Sequence, residues 1–325
     1  MEVEDLRVEF LTRGASISVL NDLSFKLRSG ATLALVGESG SGKTVTGLAV
    51  MRLLPRRRSR IVGGQVRFEN VDLASLTDAE MRKLRGERIS MIFQDPLSSL
   101  NPVLNVGRQI GEAIREHRDI SYREARAEVV EILRRVGIPD AAARVDDYPH
   151  QFSGGMRQRV LIAMGIVLGP RLLIADEPTT ALDVTVQVQI LQLLHRLTDE
   201  GEMGLILITH DLGVAAHMAR DIVVMYAGTI LEKGPAKDVI AAPSHPYTVG
   251  LVRAAPRLTG RDQPLASIPG QPPSPMALPR GCVFQPRCYM ARDICRVERP
   301  PLQLLDGSRA SACHFAAEVR GGLGP

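Results

Sequence analysis

The sequence predicts an α/β fold with a parallel sheet at its core, on three observations. First, the apolar run Thr32-Leu33-Ala34-Leu35-Val36 stops at the glycine-rich stretch GESGSGKT of residues 37–44, and residues 45–54 then read as a helix that Pro55 ends. Second, the runs 171–175 and 205–209 are apolar without alternation, as strands covered on both faces are. Third, charge-patterned stretches with apolar residues at helical spacing lie between them, most clearly from Ser121 to Gly137.

Taken in order, residues 1–26 hold short β-like runs (3–10, 17–20 and 23–27) separated by turn signals. The stretch 37–44 then fits G-x-x-x-x-G-K-[ST] in the strand–loop–helix setting that a phosphate-binding loop needs. Gly37, Gly40 and Gly42 let successive backbone N–H groups turn inward around an anion, and Glu38, Ser39 and Ser41 complete the candidate ATP-binding loop. The following helix N-terminus favours phosphate, Lys43 reaches the β- and γ-phosphates, and the Thr44 hydroxyl suits Mg²⁺. A nucleoside triphosphate site is therefore expected here. Residues 88–94 read as a strand ending at Asp95-Pro96, and residues 222–226 and 229–233 as a hairpin about Ala227-Gly228. No internal repeat is present, which excludes a tandem duplicate.

The 325 residues allow one large or two ordinary domains, and 45% apolar with 23% charged residues is ordinary for a globular chain. The longest uncharged apolar run, Val160 to Leu168, is far short of the ~20 residues that span a bilayer. No basic start with an apolar signal core opens the chain, so a cytoplasmic location is expected unless a partner holds it at a membrane. Net charge is only +4, and the one dense basic run, Arg56-Arg57-Arg58-Ser59-Arg60, follows a helix end where solvated arginines are unremarkable.

Two further motifs carry chemistry. Asp176 and Glu177 end a buried strand, the ligand-binding edge of an open α/β sheet. Asp176 suits the Mg²⁺ shell and Glu177 the polarisation of an attacking water. Alone, Asp-Glu-Pro also fits a capped turn. Ser153, Gly154 and Gly155 before a long helical segment form either a second anion site or an ordinary N-cap.

Together these residues resemble the ATP-binding cassette (ABC) family. The pattern falls in order: the loop at 37–44, a Q-loop glutamine at Gln94, the signature at 153–157, Asp176-Glu177, the D-loop 181–183 with Asp183, and a switch histidine at His210. The resemblance covers about residues 1–240 and implies a P-loop NTPase fold with a parallel-sheet core. An N-terminal antiparallel β subdomain and an inserted helical subdomain near 97–168 would complete it. It also implies head-to-tail ATPase dimers, each ATP held between one chain's phosphate loop and the partner's Ser153, Gly154 and Gly155. Gln94 would sense Mg²⁺ and the transport domains, and His210 would contact the γ-phosphate. Phe152 and Met156 depart from the commonest signature, and no tyrosine precedes the loop to stack on adenine. Phe10 is the nearest candidate.

Composition changes near Ala241: 13 of 21 prolines and all four cysteines lie in residues 241–325, a loop-rich extension expected to be a separate unit lacking a large core. Its Pro243-Ser244-His245-Pro246-Tyr247-Thr248, together with the stretches 94–102 and 152–159, resembles the oligopeptide and dipeptide importer ATPases, which carry a similar cysteine-bearing extension. This narrower resemblance implies two membrane permeases, a second ATPase subunit that is often a different chain, and an external substrate-binding protein. The chain would then sit at the cytoplasmic face of the membrane. Cys282, Cys288, Cys295 and Cys313 follow C-x5-C-x6-C-x17-C, which suits zinc, an iron–sulfur cluster or buried free thiols. The subfamily resemblance favours a [4Fe–4S] cluster, of structural rather than catalytic role. The cassette at 1–240 is expected to bind ATP without help from this tail.

The rival class is a soluble cassette ATPase acting on DNA or ribosomes. The sequence leaves no room for a long coiled-coil arm between Lys43 and Asp176, and only 4% of residues are aromatic, so no nucleic-acid partner is expected. The cargo is not written in an ATPase chain. Peptides are the first expectation, with nickel, glutathione, opines or sugars as alternatives.

Overall fold

A computed structural model of the chain describes residues 1–12, 14–255 and 267–322. Its strands, in chain order, are β1 (Glu2–Thr12), β2 (Ala15–Lys26), β3 (Thr32–Val36), β4 (Ser59–Phe68), β5 (Val71–Asp72), β6 (Ile89–Ile92), β7 (Leu172–Asp176), β8 (Gly204–Thr209), β9 (Asp221–Tyr226), β10 (Thr229–Pro235), β11 (Gln303–Asp306) and β12 (Arg309–Ser311). The chain divides into two compact units, one of residues 1–27, 32–74 and 207–325 and one of residues 28–31 and 75–206.

In the first unit, an antiparallel sheet runs in the order β2-β1-β4-β5. Its inner face is set by Val3, Leu6 and Val8 of β1, all fully buried. These do not alternate strictly, because the β1–β2 register shifts between Val3 and Leu6 and Asp5 takes φ 46°. A similar kink at Asp22, φ 53°, lets β2 run as one strand where the sequence pattern suggests two short runs. The same unit holds β3, which pairs in parallel with β9 from Leu33↔Asp221 to Val36↔Val224. The expected hairpin forms as β9–β10, and β10 pairs with β12 through Glu232↔Ser311 and Lys233↔Ala310. The C-terminal extension therefore adds strands to this sheet. Cys282, Val283, Phe284, Cys295 and Ala312 also share one buried cluster with Ala34, Val36, Val224, Tyr226 and Tyr247, so the extension rests on more core than its composition suggests.

In the second unit, β6 and β7 pair in parallel from Ile89↔Leu172 to Ile92↔Ala175, and β7 is buried throughout. Around them are helices Asp78–Glu87, Val106–His117, Tyr122–Arg135, Gly154–Ile166 and Val184–Asp199. The helix foreseen at 121–137 begins after Ser121, whose capping box with Glu124 satisfies two N-terminal donors, and gives way to Gly137 at φ 80°. The chain crosses from this unit to the first within β8, whose six residues are all buried. No described helix is long and apolar enough to cross a membrane.

Candidate active site

The phosphate loop is shaped by close approaches that only glycine permits. A Cβ on Gly37 would lie 2.1 Å from the Met225 carbonyl oxygen, and one on Gly42, at φ 103°, would lie 2.7 Å from Leu20. Across the loop, the Gly228 N–H donates to the Ser41 carbonyl at 3.0 Å, so the β9–β10 turn fixes one side of it. Ser39 and Gly40 form its exposed tip. Lys43 opens the helix Lys43–Val50 but is itself buried, and its Nζ donates to the carbonyl oxygens of Gly37 at 2.7 Å and Glu38 at 2.9 Å. Thr44 follows, exposed in the first helical turn, where backbone donors lack intrahelical acceptors.

Glu38 carries contacts that no motif announces. Its carboxylate accepts from both terminal nitrogens of Arg287, at 2.6 and 3.0 Å, and its backbone N–H donates to the Tyr247 hydroxyl at 2.8 Å. Burial raises the hydroxyl pKa of Tyr247 far above the ordinary phenol value, so it stays protonated. These partners lie 249 and 209 residues away in sequence, and no local spacing could reveal them.

In the second unit, Asp176 is buried at the end of β7 and Glu177 follows with φ 46°, a left-handed conformation uncommon away from glycine. One Glu177 oxygen, Oε2, accepts from Gln94 Nε2 at 3.0 Å and from the Thr180 hydroxyl at 2.8 Å. The Q-loop glutamine and the candidate general base are thus direct neighbours. Ser153 is an N-cap, its hydroxyl accepting from the Met156 N–H at 3.3 Å, and Gly154 stands exposed beside it. Gly155 has a packing reason of its own, since a Cβ there would lie 2.5 Å from Val186. Asp183 caps Val184–Asp199 by accepting from the Val186 N–H. Ser153 and Asp183 therefore both serve as N-caps. His210, in the first unit, is exposed at the end of β8, next to Asp211, which caps the following helix. Phe10 is half-buried in β1 opposite Ile17.

Cys282, Cys288, Cys295 and Cys313 all line one small cavity, together with His245, His314 and Phe315. All four are free thiols. Burial raises the Cys282 thiol, lifts Cys288 to about 11 and lifts Cys313 to about 12, which keeps these three protonated at neutral pH. Among the described residues, no group of three or more His, Cys, Asp or Glu side chains is already arranged to hold a metal ion. The donor set fits a thiolate-bound metal, and ligation would require these thiols to draw together and lose their protons.

The family profile described as ABC transporter matches residues 20–180, and that of the oligopeptide/dipeptide transporter C-terminal region matches residues 231–295. A provisionally named peptide import ATP-binding protein of Brucella ovis is 49% identical over 324 residues, covering 96% of each chain. The chain belongs to the ABC transporter ATP-binding family. A second such relative, from Brucella abortus, is 51% identical over 313 residues, covering 96% of this ATP-binding subunit and 94% of the relative. The fold is similar to a dimeric ATP-binding cassette solved in a post-hydrolysis state with ADP and Pi (TM-score 0.65, 25% identity, 72% of this chain and 98% of that one). It is also similar to a subunit of a Clostridium perfringens ABC transporter complex (TM-score 0.63, 27% identity, 74% of this chain and 90% of that one). This ABC subunit is an ATPase that uses ATP with Mg²⁺.

Proposed function

We propose that this subunit powers peptide import, hydrolysing ATP in a head-to-tail dimer with a second ATPase subunit of different sequence. Two membrane permeases and an external substrate-binding protein would complete the machine, and would hold the chain at the cytoplasmic face of the membrane. The observation that carries the reading is the likeness over nearly the whole chain to peptide import ATP-binding proteins, extension included.

The residue roles in this reading are those that the motifs imply, with support from local geometry at Lys43 and Glu177. The buried Lys43 and N–H groups of the loop 37–44 other than that of Glu38, which goes to Tyr247, bind the triphosphate, and the Thr44 hydroxyl, Gln94 and Asp176 hold Mg²⁺. That ion supplies charge neutralisation on the phosphates. Glu177, with Oε2 held by Gln94 and Thr180, orients and polarises the attacking water. His210 contacts the γ-phosphate, and Phe10 stacks on adenine. Ser153, Gly154 and Gly155 face the partner's ATP, with Asp183 beside that interface.

In the extension, Cys282, Cys288, Cys295 and Cys313 hold a [4Fe–4S] cluster, with Zn²⁺ as the alternative. Support comes from the shared cavity that all four thiols line. Either would supply a covalent staple to a loop-rich segment.

The test is ATPase activity of the complex co-purified from detergent-solubilised membranes, with the binding protein added alone or loaded. Stimulation by peptide-loaded binding protein is expected. Stimulation only by a nickel-, glutathione-, opine- or sugar-loaded protein would replace the peptide, and co-purification with ribosomes or DNA instead of permeases would overturn the transport reading.

A further inference from the structure

We propose that Arg287 and Tyr247 of the C-terminal extension are positioning residues of the phosphate loop, so that nucleotide affinity in this subunit depends on the extension. The proposal rests on the reading of residues 37–44 as the triphosphate site. It reverses the expectation, drawn from sequence, that the loop owes nothing to the tail.

Every polar group of Glu38 is engaged. Its N–H goes to Tyr247, its two carboxylate oxygens to Arg287, and its carbonyl accepts from Lys43. A loop residue so held is tied at its N–H, its carbonyl and both carboxylate oxygens, and its N–H faces the extension. The rest of the loop then meets an anion in a fixed frame. Because Lys43 donates to the Glu38 carbonyl, a shift of Glu38 would also move the buried ammonium that meets the phosphates.

The holder is as rigid as the held. Arg287 presents Nε to the Pro269 carbonyl at 2.8 Å, and its Nη2 reaches the Ile268 carbonyl at 3.1 Å besides Glu38. Its Nη1 is shared between Glu38 and the Tyr226 hydroxyl, the latter at 3.3 Å. All five guanidinium donors thus have acceptors, and the side chain is 4% exposed. The guanidinium also lies 5.7 Å from the Tyr226 ring centroid. Behind it, Tyr226, Tyr247 and Phe284 pack with centroids 4.8–5.3 Å apart. A planar fork in such a frame fixes both the place and the tilt of a carboxylate, which a lysine cannot do.

The experiment measures ATP affinity of the full-length chain by titration calorimetry, together with steady-state turnover of the assembled complex. R287A is expected to raise the Kd for ATP at least about tenfold, and R287K about threefold, because the charge remains and the fork is lost. KM should rise in step while kcat stays within about twofold, since Arg287 meets Glu38 and not the reacting atoms. The double variant E38A/R287A should be no weaker than the weaker single by more than about twofold, as expected of two residues acting through one contact. Should R287A fail to fold, Y247F and E38A are expected to weaken ATP in the same sense. Unchanged affinity in R287A would overturn the proposal. So would additive losses in the double variant, which would mean that Arg287 acts through the folding of the tail. K43A separates the premises: if it too leaves ATP affinity unchanged, the phosphate-loop reading fails, whereas weakened K43A with unaltered R287A removes only the clamp.

Discussion

Lys43 is buried, and its ammonium donates to the carbonyl oxygens of Gly37 and Glu38 in its own loop. Replacing it removes a charge-assisted partner from a site already screened from solvent. K43A is therefore expected to cost ATP binding about 1.5–3 kcal/mol, roughly 10–150-fold in Kd, by equilibrium titration. Affinity within the error of wild type would place the triphosphate elsewhere. The same scale shows what sequence reveals best. Gly37 and Gly42 are legible because a fixed spacing encodes a fixed backbone path, and the close approach to Met225 supplies the reason. Glu38, an "x" position of the motif, gives no such signal, although it carries the contacts of the loop with Tyr247 and Arg287.

Elements were legible where periodicity or a breaker is strong. β3, β7 and β8 read as unbroken apolar runs, and Ser121 with Glu124 marks a helix start. β4 was not legible, since Arg60, Gly63, Gly64 and Arg67 interrupt its apolar alternation, and Gly64 serves a tight approach to the carbonyls of Glu4 and Asp5. The extension was misjudged in its energetics for a related reason. Its prolines describe its loops, whereas its attachment comes from few residues: β12 pairs with β10, and buried Arg309 reaches Glu232, which also accepts from the backbone of Ser244 and His245. What composition cannot say is whether the four thiols are stapled. Anaerobically purified protein is expected to be brown, with about four irons and four sulfides per chain. A serine at any one of Cys282, Cys288, Cys295 or Cys313 should bleach it, as the harder oxygen ligand replaces thiolate poorly, and should raise protease sensitivity in the extension. Colourless protein with stoichiometric zinc would exchange the cluster for zinc, and metal-free protein with a protease-resistant extension would contradict both.

At the scale of the whole molecule, no described helix is long and apolar enough to cross a membrane, and the proposed machine gives that passage to the permease partners. The order of six motifs made the family legible, because each is local and their sequence along the chain is constrained by the fold. The cargo was not legible, since no residue of an ATPase subunit need touch it. Glu177 is where the two halves of the function meet: it sits in a left-handed conformation at the end of a buried strand, with one oxygen tied to Gln94 and Thr180. An amide at this position keeps the shape and loses the charge that polarises water, so turnover should fall by about 10²–10⁴ while ATP stays bound. The most direct measurement is ATP-driven peptide uptake into proteoliposomes holding the assembled complex with its binding protein, comparing wild type with Glu177→Gln. Uptake by the wild type, and its loss in the variant with ATP retained, is the expected result; equal uptake by both would contradict the role of this chain's hydrolysis in import.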